Sequence, residues 1–135
     1  MKILFNTFAL VTLSLTAQLA LAWGSTGHRV VGLVAERHMD PAALKKAHAI
    51  LDNHDLAFAS TWSDEIRSDP KTYAHTFNWH YTTWQDEDDG FHAGLENKST
   101  GFLMSQLEKQ IAVLKNPAAS KADKAFALKF TVHLV

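Results

Sequence analysis

The chain has 135 residues, 47% hydrophobic and 20% charged, with 13 Lys+Arg against 14 Asp+Glu and a formal net charge of -1. Such a length and composition fit one globular domain, and the balanced charge excludes a basic coat for nucleic acid, so any polyanion must be held at a local site. The absence of cysteine excludes a disulfide framework and a thiolate zinc cluster, whereas eight histidines beside four tryptophans make imidazole the conspicuous chemistry.

Met1-Lys2 gives a short positive end, Ile3 to Ala20 is almost entirely apolar or small, and Ala20-Leu21-Ala22 has the small-x-small form of a cleavage site. Residues 1–22 therefore read as a signal peptide rather than a membrane span, with Trp23 as the first residue after processing and an exported, secreted or periplasmic, location. Downstream, the pattern is helical. Ser25-Thr26 can cap a helix carrying His28, Val31, Ala35 and His38. Asp40-Pro41 opens a second, whose stripe Ala43, Leu44, Ala47, Ile50 and Leu51 runs to about Asn53. Ala57 to Arg67 predicts a third, short helix ending before Asp69-Pro70. Thr72 to Trp84 is aromatic and β-branched, compatible with strand, short helix or ordered loop. Asp86 to Gly90 reads as a solvated acidic loop, since it lacks the twelve-residue calcium pattern. Leu103, Leu107, Ile111 and Leu114 mark a helix closed by Asn116-Pro117. Ser120 with Asp123 resembles a capping box for a last helix bearing Ala122, Phe126, Phe130, His133 and Leu134 on one face. The fold class expected is all-α. The last helix is still apolar at Val135, which suggests the N-terminal part of a longer domain, cut before its C-terminal half.

Candidate chemistry lies at a few positions. A freed Trp23 amine, with a pKa of about 8, can chelate a metal together with its own carbonyl, and His28 is close enough to join it. Asp64 and Arg67 are three apart, on one face of a helix, as a surface ion pair or as a carboxylate ligand beside a phosphate-binding guanidinium. His80 sits among aromatics in Asn78-Trp79-His80-Tyr81, and His133 shares a face with Phe126 and Phe130. Each is open to a plain packing role. As a set, Asp64, His80 and His133 are the nitrogen and oxygen ligands that zinc accepts without cysteine. Asn97-Lys98-Ser99 fits a glycosylation sequon, and His38, His48, His54, His75 and His92 have no evident partner in the sequence.

In this order, Trp23-Gly24 with His28, Trp62 to Arg67, Trp79-His80-Tyr81 and Val132 to Val135 resemble the zinc-dependent single-strand-specific nucleases of fungi, plants and bacteria, related in fold to the zinc phospholipases C. The resemblance spans residues 23–135 and implies a mainly helical domain with three zinc ions. By it, Trp23 and His28 hold one zinc, and Asp64, His80 and His133 a second. The family's bridging aspartate and third site would lie beyond Val135, and this stretch alone is expected to have little activity. Asp64 and Arg67 would be catalytic: Asp64 orients the attacking water, and Arg67 steadies the phosphate. Tyr81 would stack a base, while Thr83 stands where fungal members place a base-reading aspartate. The reaction implied is hydrolysis of single-stranded DNA or RNA to 5′-phosphorylated products, with 3′-nucleotidase activity also open. The substrate partner is thus single-stranded nucleic acid or nucleotides, with no stable protein partner and no membrane span after processing. A zinc phospholipase C and a non-catalytic helical module are the competing readings.

Overall fold

A computed structural model describes residues 24–83 and 99–135, and in these it is built of helices and their connections, without strands. The all-α expectation holds. No helix among the described residues is long and apolar enough to cross a membrane. The signal segment, Trp23, the acidic 86–90 stretch, His92 and the Asn97 sequon position lie outside the described residues.

The first helix, α1, spans Ser25–His38. Its N-cap is Gly24 and neither Ser25 nor Thr26 caps it through a side chain, a correction to the sequence reading. Helix α2, Pro41–Ile50, starts as expected: the Asp40 carboxylate accepts from the Ala42 and Ala43 amides at 2.9 and 3.2 Å, with proline at the first turn. It stops short of Asn53 because Asp52 and Asn53 adopt positive φ of 54° and 66°. These are the non-glycine types that enter the left-handed region most readily, and the Asn53 amide closes the turn onto the His48 carbonyl at 2.8 Å.

The predicted helix from Ala57 to Arg67 is broken. Helix α3 covers Leu56–Ala59 and α4 covers Trp62–Glu65, followed by a 3-10 turn at Ile66–Ser68. Ser60 and Thr61 donate their hydroxyls back to the Ala57 and Phe58 carbonyls at 2.8 and 3.1 Å. These side chains compete with the helical backbone pattern where the run is interrupted. Of the undecided stretch Thr72 to Trp84, the part up to Trp79 is helical, in α5 at Pro70–Tyr73 and a 3-10 turn over Ala74–Trp79, residues 80–83 form a connection, and Trp84 lies outside the described residues. Helices α6, Leu103–Lys115, and α7, Lys121–Leu134, complete the described chain. Ser120 caps α7 by accepting from the Asp123 amide at 3.1 Å. The Asp123 carboxylate takes the Ser120 hydroxyl proton at 2.6 Å instead of reaching the cap's own amide, so the reciprocal box is replaced by a local loop.

Two apolar layers meet on α7. One is aliphatic: Ala47, Leu51, Leu56, Ala59 and Val132 are buried together, with Ala35, Met39 and Leu128 against them. The other is aromatic. Trp62 meets Phe126 and Phe130 edge-on at 5.7 and 6.0 Å between ring centroids, and Trp79 meets Phe130 at 4.9 Å. Edge-to-face pairs of this kind contribute roughly 0.5–1.5 kcal/mol beyond the area they bury. Across the top, Glu36 Oε1 accepts both the Leu56 amide and the His48 Nε2 proton at 2.8 Å, tying α1, α2 and α3 together.

Gly32 sets the separation of α1 and α3. A Cβ at Gly32 would stand 2.6 Å from the Leu56 carbonyl oxygen and 2.7 Å from the Ala57 amide nitrogen, which are rigid backbone atoms. Helix propensity alone makes Gly→Ala inside a helix stabilising by about 1 kcal/mol, whereas overpacking costs about 1–3 kcal/mol. Packing governs here, so Gly32→Ala should lower the midpoint of chemical unfolding; a raised midpoint would show that α1 can move away from α3 without cost.

Candidate metal centre

Five of the residues singled out from the sequence converge on one cavity. The Asp64 carboxylate stands at the mouth of a cavity of about 390 Å³, bordered also by His28, Arg67, His80 and His133. Its Oδ1 lies 3.8 Å from His133 Nε2 and 3.9 Å from His80 Nε2, and its Oδ2 lies 3.7 Å from His28 Nε2. The two oxygens therefore face different imidazoles. His28, Asp64 and His133 each offer a ligand atom within 4.8 Å of the others, so the tightest trio includes His28 rather than His80.

Each donor is delivered by packing. Trp62, Trp79 and Phe130 belong to the aromatic layer and come shortly before Asp64, His80 and His133 in the chain, so the layer that anchors those rings also aligns the three polar groups. The His28 ring stacks on that of His133 with centroids 4.0 Å apart and 23° between planes, and His80 meets His133 edge-on at 5.0 Å. His28 and His133 are buried, while Asp64 is exposed to the cavity.

The backbone fixes which ring nitrogen is available. His133 Nδ1 donates to the Ser60 carbonyl at 2.8 Å, and His80 Nδ1 donates to the Thr76 carbonyl at 3.1 Å. With the proton on Nδ1, each neutral ring keeps its lone pair on Nε2, facing Asp64. Burial depresses the His133 pKa below its ordinary value, aided by the neighbouring His28 and His80, against the opposing pull of the Ser60 hydrogen bond and Asp64.

These residues fit a metal ion on two grounds. Hydrogen bonds of N–H to O run at about 2.7–3.2 Å, so separations of 3.7–3.9 Å are too long for the carboxylate and imidazoles to bond directly. Ligand atoms sharing a tetrahedral zinc stand about 3.3–3.5 Å apart, close to what is seen. Second, His80 Nε2 is one of two buried side-chain polar atoms among the described residues without a hydrogen-bond partner; the other is Ser63 Oγ, which nothing in the structure explains. A lone pair buried without a donor is costly and calls for an acceptor of electron density.

Arg67 Nη1 is 4.0 Å from Asp64 Oδ1, and both side chains are about half exposed. An exposed pair at that distance contributes at most about 1 kcal/mol, so the guanidinium is not committed to Asp64. It lies 5.7 Å over the Phe77 ring, which the sequence did not suggest as a support. Tyr81, next to His80, is 40% exposed and hydrogen-bonds through its hydroxyl to Thr100 Oγ1 at 3.2 Å. Leu103 also lines the cavity, although its only signal in the sequence is a place in a helical stripe. Trp23 lies outside the described residues.

No curated protein and no solved structure gives a significant match. A family model described as S1/P1 Nuclease matches residues 23–135. The chain belongs to the S1/P1 nuclease family.

Proposed function

We propose that the protein is a zinc-dependent endonuclease that hydrolyses phosphodiester bonds of single-stranded DNA or RNA and leaves 5′-phosphorylated ends. The observation that carries the metal part of this reading is the buried, partnerless His80 Nε2 facing the same Asp64 oxygen as His133 Nε2. Asp64, His80 and His133 would hold one zinc, and His28, on the other carboxylate oxygen, would hold a second together with the amine and carbonyl of Trp23. Removal of residues 1–22 to free that amine, and the secreted or periplasmic location that follows from it, belong to the same reading. Zinc, when bound, supplies Lewis-acid charge that acidifies water and polarises a phosphoryl oxygen.

The remaining steps fall to the chain itself. The carboxylate of Asp64, open to the cavity, accepts a hydrogen bond from the attacking water and turns its lone pair toward phosphorus. The Arg67 guanidinium, uncommitted and at the cavity edge, takes nonbridging phosphoryl oxygens in a bidentate grip that strengthens as charge builds up on them. Tyr81 offers a surface on which an unpaired base can stack. Duplex pairing opposes that, which supports the preference for single strands.

Two measurements test this. Zinc titration of the processed protein should show binding that His80→Ala and His133→Ala each weaken by more than about tenfold, as loss of a first ligand exceeds the tenfold loss typical of outer partners. Strands cut by the zinc-supplied protein should carry 5′-phosphates, with duplex DNA cut more slowly and Asp64→Asn slower by about a hundredfold or more on either substrate. Undiminished zinc affinity in both histidine variants would reject the proposed ligand set.

Acid should also destabilise the zinc-free protein. The folded pKa of His133 lies below its unfolded value of about 6.5, so the unfolded chain binds the proton first. The stability that His133 contributes is complete above pH about 6.5 and is lost as pH falls through the folded value. Urea unfolding in chelator should therefore show a falling midpoint below that pH, and His133→Gln should flatten the dependence.

A further inference from the structure

Tyr81 is too exposed for burial alone to fix its ring, so the base-stacking role needs something else to hold the ring still. The segment from Ser99 to Leu103 does this. The Phe102 amide donates to the Asn78 carbonyl at 2.7 Å and the Leu103 amide to the Tyr81 carbonyl at 3.1 Å, pinning the segment along the turn that carries His80. Ser99 Oγ accepts from the amides of Thr83 and Gly101, both at 2.9 Å, which fixes its own course. Gly101 is buried, and a Cβ there would run into the Tyr81 carbonyl oxygen and ring Cδ2 and stand 2.6 Å from Cε2. No unusual backbone angle demands glycine at this point; lack of space does. Thr100 Oγ1 meanwhile shares a hydrogen bond with the Tyr81 hydroxyl at 3.2 Å. A tyrosine ring is placed by two torsions, and here the Cδ2–Cε2 side is seated on Gly101 while the hydroxyl is tethered by Thr100.

We infer that Gly101 and Thr100 are positioning residues for base recognition: they seat the Tyr81 ring so that only its open side is presented to one unpaired nucleobase. This rests on the proposed role of Tyr81 as a base platform. Displacing the Tyr81 carbonyl and ring by a methyl group at position 101, or removing the Thr100 bond so that the hydroxyl keeps only its longer 3.5 Å bond to Asn78 Oδ1, costs base affinity while Asp64 and Arg67 stay unsubstituted.

The test is binding to the zinc-supplied protein of two fluorescent strands of equal length with hydrolysis-resistant phosphorothioate linkages, one oligothymidylate and one abasic. Wild type should prefer oligothymidylate, and Tyr81→Ala should remove most of that preference, about tenfold for one stacked base. Gly101→Ala and Thr100→Val should each weaken oligothymidylate binding by roughly threefold or more while leaving the abasic strand unchanged. Thr100→Ser, which keeps the hydroxyl, should restore wild-type affinity. If Tyr81→Ala removes the preference but the variants at 100 and 101 bind as wild type, the positioning inference fails and the platform stands. Equal losses on both strands, or failure of Thr100→Ser to rescue, would also overturn it in favour of a merely structural role. No preference in wild type, or none lost in Tyr81→Ala, defeats the platform and with it this inference.

Discussion

One buried hydrogen bond governs the centre: His133 Nδ1 to the Ser60 carbonyl, 2.8 Å, joining residues 73 apart in sequence. It docks the end of α7 against the break between α3 and α4, and thereby brings His133 opposite Asp64, four residues beyond Ser60. It also assigns the ring proton. A carbonyl can only accept, so Nδ1 must donate, and the lone pair is left on the nitrogen that faces the carboxylate. His80 repeats the arrangement with the Thr76 carbonyl. Backbone that failed to continue as α-helix at Ser60, and that tightened into a 3-10 turn at Ala74–Trp79, thus supplies the acceptors that orient two imidazoles.

This explains what could and could not be read from the sequence. Local signals were legible where a single side chain decides the outcome, as at Asp40-Pro41, or where a stripe repeats cleanly, as from Leu103 to Leu114. The i,i+3 spacing of Asp64 and Arg67 placed them together although the intervening backbone passes from α-helix into a 3-10 turn. Missed were the features set by competition between near-equal local choices. The Ser60 and Thr61 hydroxyls turn back on preceding carbonyls and interrupt a run whose apolar spacing alone predicted one helix. Gly24, with no side chain to signal a cap, displaced Ser25 and Thr26 as the start of α1.

The site residues were legible as types but not as a constellation. Nothing in the spacing of His28, Asp64, His80 and His133 states that they meet; that depends on the tertiary packing of Trp62, Trp79, Phe126 and Phe130. Resemblance grouped His80 with Asp64 and His133 and set His28 apart. In the structure His80 and His133 face one Asp64 oxygen and His28 the other, and the His28 ring stacks on that of His133. Supports such as Phe77 under Arg67 and Gly101 behind Tyr81 carry no sequence signal of their own, because their importance is a matter of space across non-local contacts.

The same chain contains a control for the geometry at Asp64. His48 and Glu36 are also an imidazole and a carboxylate in a partly buried setting, and they close to a direct 2.8 Å hydrogen bond. At Asp64, three imidazoles stand off at 3.7–3.9 Å instead. The difference lies in how the rings are held. His80 and His133 are fastened from behind through Nδ1 and wedged by aromatic neighbours, so neither can advance on the carboxylate without breaking a bond to the backbone. A pair selected only to stabilise the fold would have closed the gap, as His48 and Glu36 do. Holding it open leaves His80 Nε2 without a hydrogen-bond partner at a cavity edge, and that arrangement becomes favourable when a cation takes up its lone pair.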